Sequence, residues 1–304
     1  MTDLNYDATV NYAFEMEKKH GWTLLQDTTG PDYFEIPTWI MQGYTALIDE
    51  AMEQLEDKRP THIILQVGVG SFAGGIMGYL VEHAKAKGYT LPKVILVEPK
   101  NAACAYASAV KADGSMVAVD GDLETMVAGL ACGELSEIGW PILARNVTGG
   151  YCWIGDHIAG NGMRALAREA PDDKVEAGEC GGAGAGLIMR LLEDRKDAAE
   201  IRHALGIDQF STFLFVNTEG YTDPINCDKQ IKMEDVEEKI DEPNSRNSFQ
   251  IFNLHNFQFF LLDIRYHTKM AILLTPLHSS GPCPRDRPFL RATINSLIRL
   301  PSIL

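Results

Sequence analysis

Ile63-Ile64-Leu65-Gln66-Val67-Gly68-Val69-Gly70-Ser71-Phe72-Ala73-Gly74-Gly75 carries the clearest fold signal in the chain. A buried-type apolar run breaks into glycines, and the apolar-periodic Ile76-Met77-Gly78-Tyr79-Leu80-Val81 leads away from them. The spacing predicts a strand, a tight glycine loop and a helix N-terminus. Free N–H groups and the helix dipole make such a start a place for a phosphate. Glycine matters there because no Cβ blocks an anion's approach to the main chain. The pattern Gly68-x-Gly70-x-x-x-Gly74-Gly75 matches neither the dinucleotide nor the Walker motif, and no lysine follows it. From the residues alone the loop is either a phosphate cradle or a glycine-packed turn.

Working outward, the strand before the loop covers 62–67 and the next covers 94–99, with a helix between them. That is a βαβ unit, so the expected fold is α/β, an open twisted parallel sheet flanked by helices. Upstream, a helix within 1–20 ends at Lys18-Lys19-His20-Gly21, and 22–26 reads as a strand. A helix follows Pro37 with Trp39, Ile40, Tyr44, Leu47, Ile48 and Met52 on its apolar face. Downstream, 116–119 reads as a short strand, and 123–130, 141–145 and 156–169 as helical. A second glycine run at 178–186 opens another helix with Leu187, Met189, Leu191 and Leu192. The last strand covers 212–217 and ends at Thr218-Glu219-Gly220.

Composition narrows the classes. A formal charge of −15 argues against a nucleic-acid backbone as partner. No apolar run is long enough to span a bilayer, and the first residues lack a basic and apolar leader. The six cysteines form no C-x-x-C and the eight histidines show no metal-ligand spacing. A cytoplasmic protein with reduced thiols, no metal and no membrane partner is the expectation. Residues 225–304 hold 10 Lys and Arg against 9 Asp and Glu, so 1–224 carry a net −16. Two segments follow: a folded domain over 1–224 and an atypical tail over 225–304 with no core of its own, disordered or unrelated to the fold.

Three glycine or polar strand ends, at 68–75, 178–186 and 217–220, belong to one scaffold. Ligands in open parallel sheets sit at the carboxyl ends of strands. A phosphate cradle beside a strand-end hydroxyl suits a phosphorylated aromatic cofactor such as pyridoxal 5′-phosphate.

Gln26-Asp27-Thr28, Ile36-Pro37-Thr38-Trp39-Ile40-Met41-Gln42-Gly43-Tyr44, the loop at 66–75, Val97-Glu98-Pro99, Ala128-Gly129-Leu130-Ala131-Cys132-Gly133-Glu134 and Thr218-Glu219-Gly220 together resemble diaminopropionate ammonia-lyase. This lyase family belongs to the tryptophan-synthase-β type of pyridoxal-phosphate enzymes, fold type II, and the resemblance runs from about residue 3 to about 223. It implies the large domain of that fold with a remnant of the small one. It implies α,β-elimination of 2,3-diaminopropionate to pyruvate and ammonia in a homodimer. Val69, Gly70, Ser71, Phe72, Ala73 and Gly74 would then hold the cofactor phosphate and Thr218 would face the pyridine nitrogen. Asp27 would take the Cα proton of one substrate enantiomer; taken alone it is a strand-end residue of the kind that caps a turn. Glu98 ends a strand or borders the ligand, and Cys104 and Cys132 match cysteines that can pair in relatives.

The family's Schiff-base lysine, in an Asn-Lys or Phe-Lys segment, and its Asp-Gly-Asn-His loop occur nowhere in these 304 residues. Lys58, Lys85 and Lys100 match no such segment. The expectation is a chain that lacks the first third of such an enzyme, exposes a sheet edge and forms no competent holoenzyme. A serine or threonine dehydratase is the alternative within the fold. Outside it, the alternative is a catalytically dead relative that dimerises with a full-length copy. Asp27 and the 36–44 run favour the diamino-acid lyase, since a carboxylate suits a substrate with an extra ammonium group.

Overall fold

The computed structural model describes residues 4–168 and 174–234 in full and 257–263 and 270–276 as backbone. Its centre is a sheet in the order β3(Gly150–Ile154), β2(Lys93–Pro99), β1(His62–Gln66), β4(Phe213–Asn217), β6(Met270–Pro276), β5(Phe257–Asp263). The first four strands are parallel, as the βαβ reading requires. The last two join β4 as an antiparallel pair, which the sequence did not announce.

Why the central strands read as unbroken apolar runs is visible in the packing. Alternate residues point to opposite faces, and here both faces are covered. Ile63, Leu65, Val94, Leu96, Leu214 and Val216 pack with α2(Glu35–Leu55) and α3(Ser71–Lys87). Ile64, Ile95, Val97, Phe213 and Phe215 pack with α6(Asp156–Ala167) and α7(Glu179–Leu191) on the other side.

The first helix, α1(Tyr6–His20), begins where the Asn5 side chain accepts from the Ala8 N–H at 3.0 Å. It ends where Gly21 takes the left-handed conformation (φ 65) and returns its N–H to the Glu17 carbonyl. The expected basic last turn and glycine stop are both present.

Several expectations need correction. Residues 22–26 form no strand. Their backbone is held by side chains instead: the Leu24 N–H donates to Glu17 at 3.2 Å and the Tyr33 hydroxyl donates to the Leu24 carbonyl at 2.8 Å. Residues 116–119 form no strand either, since Val117 N–H goes to the Ser108 hydroxyl and Val119 N–H to the Gly133 carbonyl. The helix expected over 123–130 shrinks to a single 3₁₀ turn at Ala128–Leu130, with Leu123 at φ 56 upstream of it. Trp39 is not on the buried face of α2 but 57% exposed, while Leu47, Ile48 and Met52 are buried as read. Pattern reading missed the five-residue β3, α4(Cys104–Lys111) and α8(Lys196–Leu205).

The helix α9(Pro224–Lys232) crosses the boundary expected at 224. Its Cys227 is buried, and Arg164 of α6 donates to its Gln230 carbonyl at 3.0 Å. The remainder of the expected tail, 235–256, 264–269 and 277–304, lies outside the described residues.

Candidate active site

The site grows from the carboxyl end of β1. Gly70 adopts φ 88, a left-handed turn that swings the chain from strand into α3 and that a side chain would strain. As N-cap it has no side chain to satisfy the first-turn N–H groups of α3, which have no intrahelical acceptors. The other glycines of the loop serve a different need. A Cβ at Gly75 would meet the Met41 carbonyl oxygen of α2 at 2.6 Å, and one at Gly74 would meet Gly139 at 3.0 Å. Gly74 N–H is also spent on the Gly70 carbonyl at 2.8 Å. Of the two open readings of the loop, the packed turn describes Gly74 and Gly75, while Gly70 gives α3 no side-chain cap.

Val69, buried, has its carbonyl fixed by the Ser136 N–H at 2.7 Å. The Ser136 side chain is fully buried beside this loop and its hydroxyl has no hydrogen-bond partner. A spare donor next to an uncapped helix start fits an anionic group such as the cofactor phosphate.

Asp27 meets this loop. The Ser71 hydroxyl donates to the Asp27 carbonyl oxygen at 2.5 Å, and the Tyr44 hydroxyl donates to Asp27 Oδ2 at 3.4 Å. Tyr44 also lies edge-on to Phe72, with ring centroids 5.4 Å apart at 84°. The aspartate and the glycine loop, 44 residues apart in sequence, form one assembly. Tyr6 of α1 and Cys132 bear on Asp27 by charge; burial is the larger cause that pushes the Tyr6 phenol up and the Cys132 thiol up to about 12. Asp7 stands beside them, its carboxyl raised by burial despite accepting from Gly133 N–H at 2.9 Å.

Thr218 is half-buried just past β4, the strand that neighbours β1. Gln66 ties the two strand ends and α7 together, its amide donating to the Val216 carbonyl at 2.7 Å and the Cys180 carbonyl at 2.9 Å. Glu98 does more than end β2. Its fully buried carboxylate accepts from the Ala105 and Tyr106 N–H groups, both at 2.8 Å, and so caps α4. Burial pushes its carboxyl up to about 8, against these two hydrogen bonds. Cys104 and Cys132 are free thiols, the first donating to Glu98 and to the Cys132 carbonyl. Sequence reasoning had not singled out Tyr44, Gln66 or Ser136 as site residues; Tyr44 and Gln66 had a signal, in the 36–44 run and the 66–75 stretch, and Ser136 had none.

Of the three lysines weighed, Lys85 pairs with Glu82 at 3.8 Å near the far end of α3, and Lys100 sits over the Trp153 ring at 5.3 Å. Neither contact reaches the glycine loop.

A doubly covered parallel sheet with a glycine-rich helix start and polar strand ends is the arrangement of the fold type II pyridoxal-phosphate enzymes that the chain matches in structure. The chain belongs to the pyridoxal-phosphate dependent enzyme family, whose model matches residues 1–201. Within that family it is a homologue of diaminopropionate ammonia-lyase. The lyase of Salmonella typhimurium strain LT2 is 46% identical over 231 residues, which is 74% of this chain and 55% of that protein. The crystal structure of the Escherichia coli lyase, in complex with an aminoacrylate–PLP azomethine reaction intermediate, superposes with a TM-score of 0.68 at 38% identity. It covers 76% of this chain and 58% of that one. The chain therefore spans about half the length of the curated relatives it matches. Threonine deaminase isoform 2 from Solanum lycopersicum (17% identity, TM-score 0.54, covering 73% of this chain and 57% of that one) shares the fold alone.

Proposed function

We propose that this site serves the α,β-elimination of 2,3-diaminopropionate to pyruvate and ammonia, with pyridoxal 5′-phosphate as cofactor. One observation carries the reading: the 2.5 Å bond from Ser71 to Asp27, which ties a carboxylate-bearing residue to the phosphate loop. The cofactor, when bound, supplies the electron sink for the pair left at Cα. The first-turn N–H groups at Ser71, Phe72 and Ala73 hold its phosphate, Val69 and Gly70 shape the loop, and Gly74 lets it pack. Asp27 takes the Cα proton of one substrate enantiomer as general base, and the β-amino group leaves as ammonia. The Thr218 hydroxyl faces the pyridine nitrogen, where a neutral partner leaves it weakly protonated.

The lysine and second aspartate motifs of the family do not occur in these 304 residues, so this polypeptide by itself gives no turnover. A homodimer is carried over from the resemblance and a cytoplasmic location from the composition; sedimentation of the purified chain tests the first.

The test is to incubate the chain with pyridoxal phosphate, reduce with borohydride, map any labelled lysine, and assay ammonia from D- and L-diaminopropionate. Reversible cofactor binding with no labelled lysine and no ammonia is the expected result. A single labelled lysine with ammonia release overturns the inactivity of the chain; no cofactor binding overturns the site.

A further inference from the structure

We propose that Tyr44 is the positioning residue for Asp27, fixing the direction and ionisation of its carboxylate by a hydrogen bond that is itself braced on the phosphate loop. The inference deepens the elimination reading above and rests on it for the role of Asp27.

Asp27 lies in an irregular bend after residues 22–26, with neither strand nor helix to orient it. Its anchors come from elsewhere. Ser71 holds the main chain at the carbonyl, and Tyr44 holds the side chain at Oδ2. Tyr44 is well placed to be rigid. It sits inside the 21-residue α2, one turn after Met41, whose carbonyl is packed against Gly75 of α3 too closely for a Cβ. Its ring stands edge-on to Phe72 on the same loop. Four contacts therefore join α2, α3 and the bend that carries Asp27.

The electrostatics agree in sign. Burial first, then the Asp27 carboxylate, pushes the Tyr44 phenol up to about 12, so it remains a donor across the neutral range. Tyr6 and Cys132 face the same carboxylate and Asp7 faces both of them. Burial holds Tyr6 and Cys132 in their neutral forms, and the Tyr44 shift includes a side-chain hydrogen bond to Asp27. A hydrogen bond donated to a carboxylate favours its charged form, so removing the donor makes the carboxyl protonate at higher pH.

The experiment needs neither cofactor nor substrate. The chain is labelled with carboxyl-carbon-13 aspartate, Asp27 is assigned by its loss in Asp27→Asn, and its titration is followed by NMR in the parent and in Tyr44→Phe. The Asp27 curve is expected to move up by about half a pH unit or more in Tyr44→Phe; coincident curves overturn the proposal. The reciprocal reading guards against a variant that does not fold. In Asp27→Asn the Tyr44 phenolate, followed by NMR of ring-carbon-13 tyrosine with Tyr44 assigned by its loss in Tyr44→Phe, is expected to form at lower pH, and an unchanged Tyr44 titration overturns the proposal equally. Shifted titrations in a chain that binds no cofactor would fault the elimination reading and leave the Tyr44–Asp27 link standing.

Discussion

Two glycine-rich helix starts, at 68–75 and 178–186, look alike in sequence and differ in physics. The first opens α3 behind the left-handed Gly70, which has no side chain to cap it. The second opens α7 with its N-terminus already occupied: the Glu219 carboxylate accepts from Cys180 N–H at 2.8 Å, and the Glu219 carbonyl accepts from Gly178 N–H at 2.8 Å. Gly178 is extended rather than left-handed. The glycines of α7 are there for helix packing. A Cβ on Gly186 would run into the Ile158 carbonyl of α6, and one on Gly162 of α6 would run into the Gly182 carbonyl. The α4 start resembles the second case, capped by buried Glu98. Glycine content therefore says that backbones come close; only the cap state says whether an anion can be the thing that comes close.

The comparison breaks first at the packing glycines. Gly186→Ala forces a Cβ into α6 backbone that cannot step aside, and a loss of about 3 kcal/mol or more in denaturant unfolding is expected. Glu98 gives the next largest effect, as a dependence on pH. Its folded-state carboxyl titrates at about 8 against an ordinary 4.5, so between these values the native state holds a proton the unfolded chain has released. Stability contributed by this group is full below about 4.5 and declines as pH rises toward 8, by up to about 1.4 kcal/mol per unit. Glu98→Gln should flatten that decline in unfolding curves taken from pH 5 to pH 8. Gly70→Ala meets only side chains at 3.4 and 3.5 Å, so its cost is conformational, ~1–2 kcal/mol, with a larger effect on cofactor phosphate binding. Glu219→Ala removes the cap of α7 for about 1 kcal/mol and leaves cofactor binding at α3 unchanged.

Much of this was legible in sequence where two signals agreed. The 62–67 run followed by glycines announced β1 and α3, and Lys18-Lys19-His20-Gly21 announced the end of α1. The two strands that failed lie where contacts outside a β-ladder, most of them from side chains, satisfy the main chain. Residues 22–26 have strand composition but are held by Glu17 and Tyr33, and 116–119 by Ser108 and Gly133, contacts that no local period encodes. Trp39 belongs to a helical stripe by spacing and is exposed nonetheless. In the site, Gly70 was readable from its position, whereas the separate duties of Gly74 and Gly75 required knowing that Met41 and Gly139 lie against them. Glu98 had looked like a strand terminator or a ligand neighbour, and its carboxylate turned out to cap α4.

The central claim is that the uncapped start of α3, and not the capped start of α7, holds the cofactor phosphate beside Asp27. Titrating pyridoxal phosphate into the parent chain, Gly70→Ala and Glu219→Ala, followed by phosphorus NMR, tests it most directly. Saturable broadening or shift of the phosphate signal in the parent and in Glu219→Ala, with weakened binding in Gly70→Ala, is the predicted result. Equal binding by the parent and Gly70→Ala, with binding altered in Glu219→Ala, would contradict it.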